Sequence, residues 1–212
     1  MENQELVLQR LELRQERPVG TLLVRAFADD PLVKTICDSD PSRRARQTSW
    51  SFRISVRSHC LARQPGWVAY GTGEHPAAVI LVSRPGMVLN GPSDLGFMVQ
   101  ALPRLGWRTI RRGLQAGALL FKHAPPGAFT YVRTLAVAPE MQRQGLGSQL
   151  LRHVLQSSPP HWPVYLETAK ESNVRFYERH GMQCLGDFDC LGVTVWRLLR
   201  PVKRAQETRF AP

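Results

Sequence analysis

The segment from Leu135 to Ser157 constrains this chain most. An apolar run, Leu135-Ala136-Val137, leads through Pro139-Glu140-Met141 into Gln142-Arg143-Gln144-Gly145-Leu146-Gly147. After it, Leu146, Leu150, Leu151, Val154 and Leu155 recur at helical spacing, with Ser148, Gln149, Arg152 and His153 opposite. That order predicts a strand, a glycine-bearing turn and an amphipathic helix with one buried face. The first N–H groups of such a helix have no partner inside it, and the helix dipole adds partial positive charge there. Phosphates bind such ends readily. Gly145 and Gly147 carry no Cβ, so the loop can take φ values other residues resist and a ligand can approach the backbone closely.

Bulk properties narrow the class. A length of 212 residues suits one domain with a substantial core, and 43% apolar residues is ordinary for a globular chain. No apolar run is long enough to cross a bilayer, and Met1-Glu2-Asn3-Gln4-Glu5 lacks the basic start and apolar centre of a signal peptide. A cytoplasmic protein without a membrane partner is the expectation. Cys37, Cys60, Cys184 and Cys190 form no C-x-x-C pair and no zinc-type spacing, so free thiols are expected, with neither disulfide nor metal. A net charge of +11 admits nucleic acid, a membrane surface or a polyanionic cofactor. The clusters Arg43-Arg44-Ala45-Arg46 and Arg108-Thr109-Ile110-Arg111-Arg112 lie in helix-like stretches where a solvated face explains them, and no nucleic-acid motif accompanies them.

The rest of the chain reads as alternating elements. Leu6 to Leu13 suits a first strand, and Pro18 sits in the first turn of a helix carrying Leu22, Leu23, Ala26 and Phe27 on one face. Arg43 to Leu61 reads as a helix. Trp67 to Tyr70 and Ala77 to Val82 read as strands joined by a turn from Gly71 to Pro76. Between Leu95 and His123, Pro103, Gly106, Gly113 and Gly117 interrupt a helical stripe, which predicts two short helices covering the sheet. Ala128 to Val137 and Val164 to Glu167 are strands, Ser172 or Asn173 caps a short helix ending at Gly181, and Met182 to Leu199 supplies a closing strand pair. Residues 1–200 are expected to form the domain, and 201–212 a polar tail.

This order of elements, with the turn at Gln142 to Gly147, resembles the GCN5-related N-acetyltransferase (GNAT) superfamily. The turn fits that family's Q/R-x-x-G-x-G/A signature, and Leu166-Glu167-Thr168 followed by Asn173-Val174-Arg175-Phe176-Tyr177-Glu178-Arg179-His180-Gly181-Met182 looks like its asparagine-to-tyrosine helix. Arg25-Ala26-Phe27-Ala28-Asp29-Asp30-Pro31 and the helical insertion before the fourth strand further resemble the puromycin N-acetyltransferase-like branch. Neither G-x-G-x-x-G nor G-x-x-x-x-G-K-[ST] is present, which disfavours dinucleotide and P-loop readings of the turn. The resemblance implies an α/β GNAT fold, a single domain whose mixed, mostly antiparallel sheet is flanked by helices and splays near the cofactor.

It also implies acetyl-CoA as acetyl donor and no metal. Backbone N–H groups from Arg143 through Ser148 suit a pyrophosphate, with Arg143 and Gln144 beside its charge. The implied cofactor-binding set is Leu135, Ala136, Val137, Gln142, Arg143, Gln144, Gly145, Leu146, Gly147, Ser148, Asn173, Phe176 and Tyr177. Leu135 and Val137 match strand positions whose backbone pairs with the pantetheine amides. Asn173 and Tyr177, four residues apart, share one helix face. Asn173 then helps hold the pantetheine arm, and Tyr177 is either a core tyrosine or the general acid for the departing thiolate. Glu167 is either the general base for the acceptor amine or a surface or salt-bridged glutamate.

The fourth strand offers Thr130, Tyr131 and Arg133 but no carboxylate, which leaves a single dedicated base in question. His75 and His123 are alternatives for that role or ordinary histidines. Asp29 and Asp30 either attract a cationic acceptor or make a helix-ending turn. Direct transfer to a small-molecule primary amine, puromycin-like or other, is the expected reaction, since no cysteine falls at the cofactor motifs. The rival readings are a non-catalytic acyl-CoA-sensing module and a protein N-acetyltransferase associated with nucleic acid. Nucleic acid is disfavoured as a partner, and a homodimer is left open.

Overall fold

Pro76 to Ser83 are buried without exception, so a run reading Pro-Ala-Ala-Val-Ile-Leu-Val-Ser marks a strand covered on both faces. The computed structural model describes residues 7–71, 73–86 and 95–202, with the side chains of 95–99 left aside. Its strands are β1 (Val7–Arg10), β2 (Gly66–Tyr70), β3 (Pro76–Ser83), β4 (Thr130–Val137), β5 (Val164–Thr168), β6 (Gln183–Cys190) and β7 (Val193–Arg200). They form one mixed seven-stranded sheet in the order β1-β2-β3-β4-β5-β7-β6. The helices are α1 (Glu16–Ala26), α2 (Pro31–Ile36), α3 (Pro41–Leu61), α4 (Leu95–His123), α5 (Leu146–Ser157) and α6 (Glu171–Glu178).

Two apolar layers sandwich the sheet. On one face Val19, Leu22, Leu23 and Val56 of α1 and α3 pack on Val68, Val79, Leu81 and Ala136. On the other, Leu146, Leu150, Leu151 and Val154 of α5 pack on Ile80, Val82, Val132 and Leu166, with Tyr177 of α6 beside them. The amphipathic stripe from Leu146 to Leu155 therefore buries the face its spacing assigns.

The only parallel contact among the described residues is between β4 and β5, and it is short. Thr130 pairs with Val164 and Tyr131 with Tyr165, after which the strands part. On its other edge β4 stays paired with β3 as far as Val137, but the register jumps from Leu81↔Thr134 to Val82↔Val132. Arg133 is the extra residue of this bulge, which bends β4 where it leaves β5. Because β5 continues antiparallel to β7, a wedge opens between β4 and β5.

Four local expectations need correction. The first strand begins no earlier than Val7 among the described residues and stops at Arg10, while Leu13 belongs to a 3-10 turn, Leu13–Gln15, tied by the Glu12 N–H donating to Gln15 Oε1 at 2.8 Å. Leu6 lies outside the described residues. Asp29-Asp30-Pro31 does not end α1, which stops at Ala26 with Phe27 as its C-cap; instead Asp30 Oδ1 accepts from the Val33 N–H at 3.0 Å and Pro31 opens α2, a helix the sequence reading omits. Between Leu95 and His123 the two expected helices are present and meet at Gly106, at φ 75 and ψ 155, but Pro103, Gly113 and Gly117 lie within helix and interrupt nothing. Finally, Lys170, not Ser172 or Asn173, is the N-cap of α6, because Thr168 Oγ1 at the end of β5 accepts the Lys170 N–H at 3.3 Å. The tail from residue 203 lies outside the described residues.

Candidate active site

The turn predicted to hold a phosphate has an open row of donors. Gln142 closes a 3-10 turn, Pro139–Met141; Arg143 takes φ 62, and Gly145, at φ 84, is the N-cap of α5. The first helical bond of α5 runs from the Gln149 N–H to the Gly145 carbonyl at 3.0 Å, so the N–H groups from Arg143 to Ser148 have no backbone acceptor among the described residues. Two side chains brace the loop: the Gln142 amide donates to the Val137 carbonyl and the Gln144 amide to the Glu140 carbonyl, both at 3.3 Å. Arg143 is exposed and free of an ion pair among the described residues. A Cβ on Gly147 would lie 3.5 Å from Val137 Cγ2 and 3.6 Å from Phe176 Cζ, so the first turn of α5 packs directly over β4 and α6.

Along the wedge, the inner edge of β4 is unpaired. The Ala138 N–H donates to the Ala77 carbonyl at 2.8 Å, so strand alternation turns the amide groups of Leu135 and Val137 the opposite way, toward β5. A cavity of ≈ 310 Å³ follows this edge, lined by Leu135, Ala136 and Val137 on one side and by Glu167, Asn173 and Tyr177 on the other. Asn173 Nδ2 donates to Thr168 Oγ1 at 3.2 Å, which fixes the start of α6 against the end of β5. Tyr177 is 7% exposed, and burial alone raises its phenol above the usual range. Phe176 does not line the cavity; its ring packs edge-on against Tyr177 at 5.1 Å and tilted against His180 at 4.7 Å.

Glu167 stands where this cavity meets a second, of ≈ 390 Å³, lined by Leu120, Phe121, Phe129, Tyr131 and Tyr165. Burial pushes its carboxyl up to about 7, and the Tyr131 and Tyr165 hydroxyls partly offset that rise. The buried Tyr165 hydroxyl has no partner at full hydrogen-bonding geometry. Both phenols are themselves raised, by burial first and the Glu167 charge second, so they stay neutral donors beside the carboxylate. No ion pair to Glu167 exists among the described residues. A carboxyl poised near neutrality is suited to proton transfer.

The remaining candidates lie elsewhere or are engaged. His123 Nδ1 lies 2.8 Å from the Leu119 carbonyl and its ring stacks on Phe188 at 4.1 Å, while His75 lines a separate groove near Arg25 and Met141. Asp29 pairs with Lys34 at 2.8 Å, and Asp30 caps α2 while lining the first cavity. The arginine clusters divide. Arg44 donates to the Asp38 and Ser39 carbonyls and Arg112 to the Thr35 carbonyl, whereas Arg108 and Arg111 border an open surface groove with Trp107. Sequence reasoning missed Tyr165 and Phe129. Tyr165 precedes Glu167 by two residues, the spacing that puts both on one face of a strand.

All four cysteines are free thiols. Among the described residues no three His, Cys, Asp or Glu side chains gather as a metal cluster, and no helix is long and apolar enough to cross a membrane.

Residues 109–183, from the second half of α4 to the first residue of β6, match the family model described as the acetyltransferase (GNAT) domain. Solved structures share the architecture over nearly the whole chain. A Corynebacterium glutamicum protein described as histone acetyltransferase HPA2 and related acetyltransferase has TM-score 0.72 and 18% identity, covering 95% of this chain and 98% of its own. The Drosophila melanogaster polyamine N-acetyltransferase that forms N-acetylagmatine has TM-score 0.65 and 16% identity, with 92% and 99% covered. Arylalkylamine N-acetyltransferase 2 of Aedes aegypti has TM-score 0.57 and 14% identity, with 94% and 100% covered. At these identities the likeness is one of fold.

Proposed function

We propose that this chain, an acetyl-CoA-dependent N-acetyltransferase by its GNAT domain and fold, passes the acetyl group directly to the primary amine of a small molecule. Glu167 serves as general base and Tyr177 as general acid. The observation that carries the reading is the position of Glu167, at the meeting of two cavities on an unpaired strand edge.

The residues present fit the donor. Free N–H groups from Arg143 to Ser148 would hold its pyrophosphate, with Gly145 and Gly147 leaving room for close approach. The amide edge of Leu135 and Val137 would pair with the pantetheine arm, and Asn173 and Tyr177 would flank it across the wedge. Gln142 and Gln144 serve by bracing the loop, Phe176 by packing behind Tyr177. Acetyl-CoA supplies an acetyl thioester, whose C–S bond breaks as the N–C bond to the acceptor forms.

An acceptor amine is mostly protonated at neutral pH, so the Glu167 carboxylate takes the proton that must leave before nitrogen can attack. Neutral Tyr131 and Tyr165 hydroxyls beside that carboxylate favour its charged form. The Tyr177 hydroxyl, kept protonated by burial, gives a proton to the departing sulfur, and the second proton that the nitrogen sheds as the amide forms restores that hydroxyl. Acceptors named for neighbours of the same fold, agmatine and arylalkylamines, support a small amine, as does the puromycin-type resemblance of Arg25 to Pro31. Residues 1–200 form the domain in this reading, with the tail outside the reaction.

Calorimetry with acetyl-CoA and a free-thiol assay over a panel of amines test it together. Glu167→Gln should keep acetyl-CoA binding and lose about 10²-fold or more in kcat/KM, and Tyr177→Phe should lose kcat. Folded protein that binds no acetyl-CoA would sink the proposal.

A further inference from the structure

We infer that the acceptor is a monoamine carrying an aromatic or bulky apolar body, seated in the ≈ 390 Å³ cavity with its amine at Glu167. This rests on the transfer reading above and names the acceptor class for that site.

The cavity has two unlike ends. Glu167 is its only charged group among the described residues, and the Tyr131 and Tyr165 hydroxyls are beside it. Away from that point the lining is Leu120, Phe121, Phe129, Pro125 and Pro126. Three rings form a box: Tyr131 and Tyr165 stack at 5.9 Å, and Phe129 stands edge-on to Tyr165 at 5.1 Å and to Tyr131 at 6.3 Å. One ammonium fits such a place, against the carboxylate and the ring faces. An aromatic or branched apolar body fits the remainder, because it removes apolar surface from water and leaves no polar group without a partner.

A polyamine fits poorly. Its second ammonium would enter a region without a carboxylate, since the other acid nearby, Asp30, lines the first cavity and already caps α2. Arg133 and Lys170 also line that first cavity, so a second positive charge reaching toward Asp30 would meet two like charges. Charge therefore selects against the acceptors named for some neighbours of this fold, although the architecture is shared.

The test is a comparison of 2-phenylethylamine, propylamine and spermidine as acceptors for the full chain, with a parallel calorimetric titration of 2-phenylethylamine into protein saturated with coenzyme A. Expected are a kcat/KM for 2-phenylethylamine on the order of tenfold to a hundredfold above both others, and measurable binding in the titration. Phe129→Leu, which keeps an apolar side chain but removes the ring, should lower the 2-phenylethylamine value several-fold more than the propylamine value. Phe129→Ala should do so more strongly. Spermidine used as well as 2-phenylethylamine, or no 2-phenylethylamine binding by the loaded protein, overturns the inference while acetyl transfer itself stands. Absence of acetyl-CoA binding removes the transfer reading and this inference with it, whereas cofactor binding without any turnover removes only the transfer reading, and the titration still decides this one.

Discussion

Glu167 illustrates what a single residue costs and supplies. Its carboxyl titrates near 7 in the fold against about 4.5 when unconfined, so the folded state binds the proton more tightly than the unfolded chain. Ionisation therefore opposes folding: the penalty begins above the unfolded value and is complete once pH passes the folded one. Glu167→Gln should raise stability by on the order of 1–3 kcal/mol at pH 8 and very little at pH 5, measured by urea unfolding at the two pH values. The wild-type profile of kcat/KM should inflect near pH 7, and the same substitution should remove the inflection. Equal stability changes at both pH values would mean the carboxyl is unstrained. The residue was legible as a strand-end glutamate, but its role was not. That depends on Tyr131, reached only through the parallel pairing of β4 with β5, and on a depth of burial that no local pattern encodes.

The turn into α5 carries the argument at the scale of the element. Gly145 and Gly147 look alike in sequence yet do different things. Gly145 holds a left-handed φ with open space around it, so its requirement is conformational. Gly147 has an ordinary backbone, and an added Cβ would meet Val137 and Phe176 at van der Waals distance. Gly147→Ala should consequently leave the melting temperature nearly unchanged while weakening acetyl-CoA binding about tenfold, as measured by calorimetry beside a thermal scan. Unchanged affinity would remove the cradle from the proposed function. This element was readable because apolar spacing, glycine placement and the preceding strand agree. Others were not. Asp30-Pro31 carries the same residue types whether it ends one helix or begins the next, and here it begins α2, since α1 has already stopped at Ala26 with Phe27 as its C-cap. Gly106, Gly113 and Gly117 were equal candidates for breaking α4, and only the one at positive φ does. The bulge at Arg133 has no local mark, since it arises from the registers of β3 and β4 together.

Across the whole molecule, five of the six strand pairings among the described residues are antiparallel ladders, and the single parallel contact is two residue pairs long. The sheet is thus two antiparallel halves, β1 to β4 and β5 to β7, joined at one narrow seam and by the helices packed across both faces. Hydrogen exchange should report this division: the Leu135 and Val137 amides should exchange quickly in the free protein and slow on addition of acetyl-CoA, while the Ala138 amide, bonded to Ala77, stays protected throughout. Identical protection with and without acetyl-CoA would place the donor elsewhere. The seam has a consequence for how long the protein survives. An unpaired strand edge facing a cleft is a place where a chain can misassociate or open, and a molecule that occupies it stabilises the folded state by mass action. At a hundredfold excess over its dissociation constant the gain is about 2.7 kcal/mol. Persistence against proteolysis would then follow the supply of acetyl-CoA, so a change in metabolism would alter how much of the protein there is as well as how fast it works.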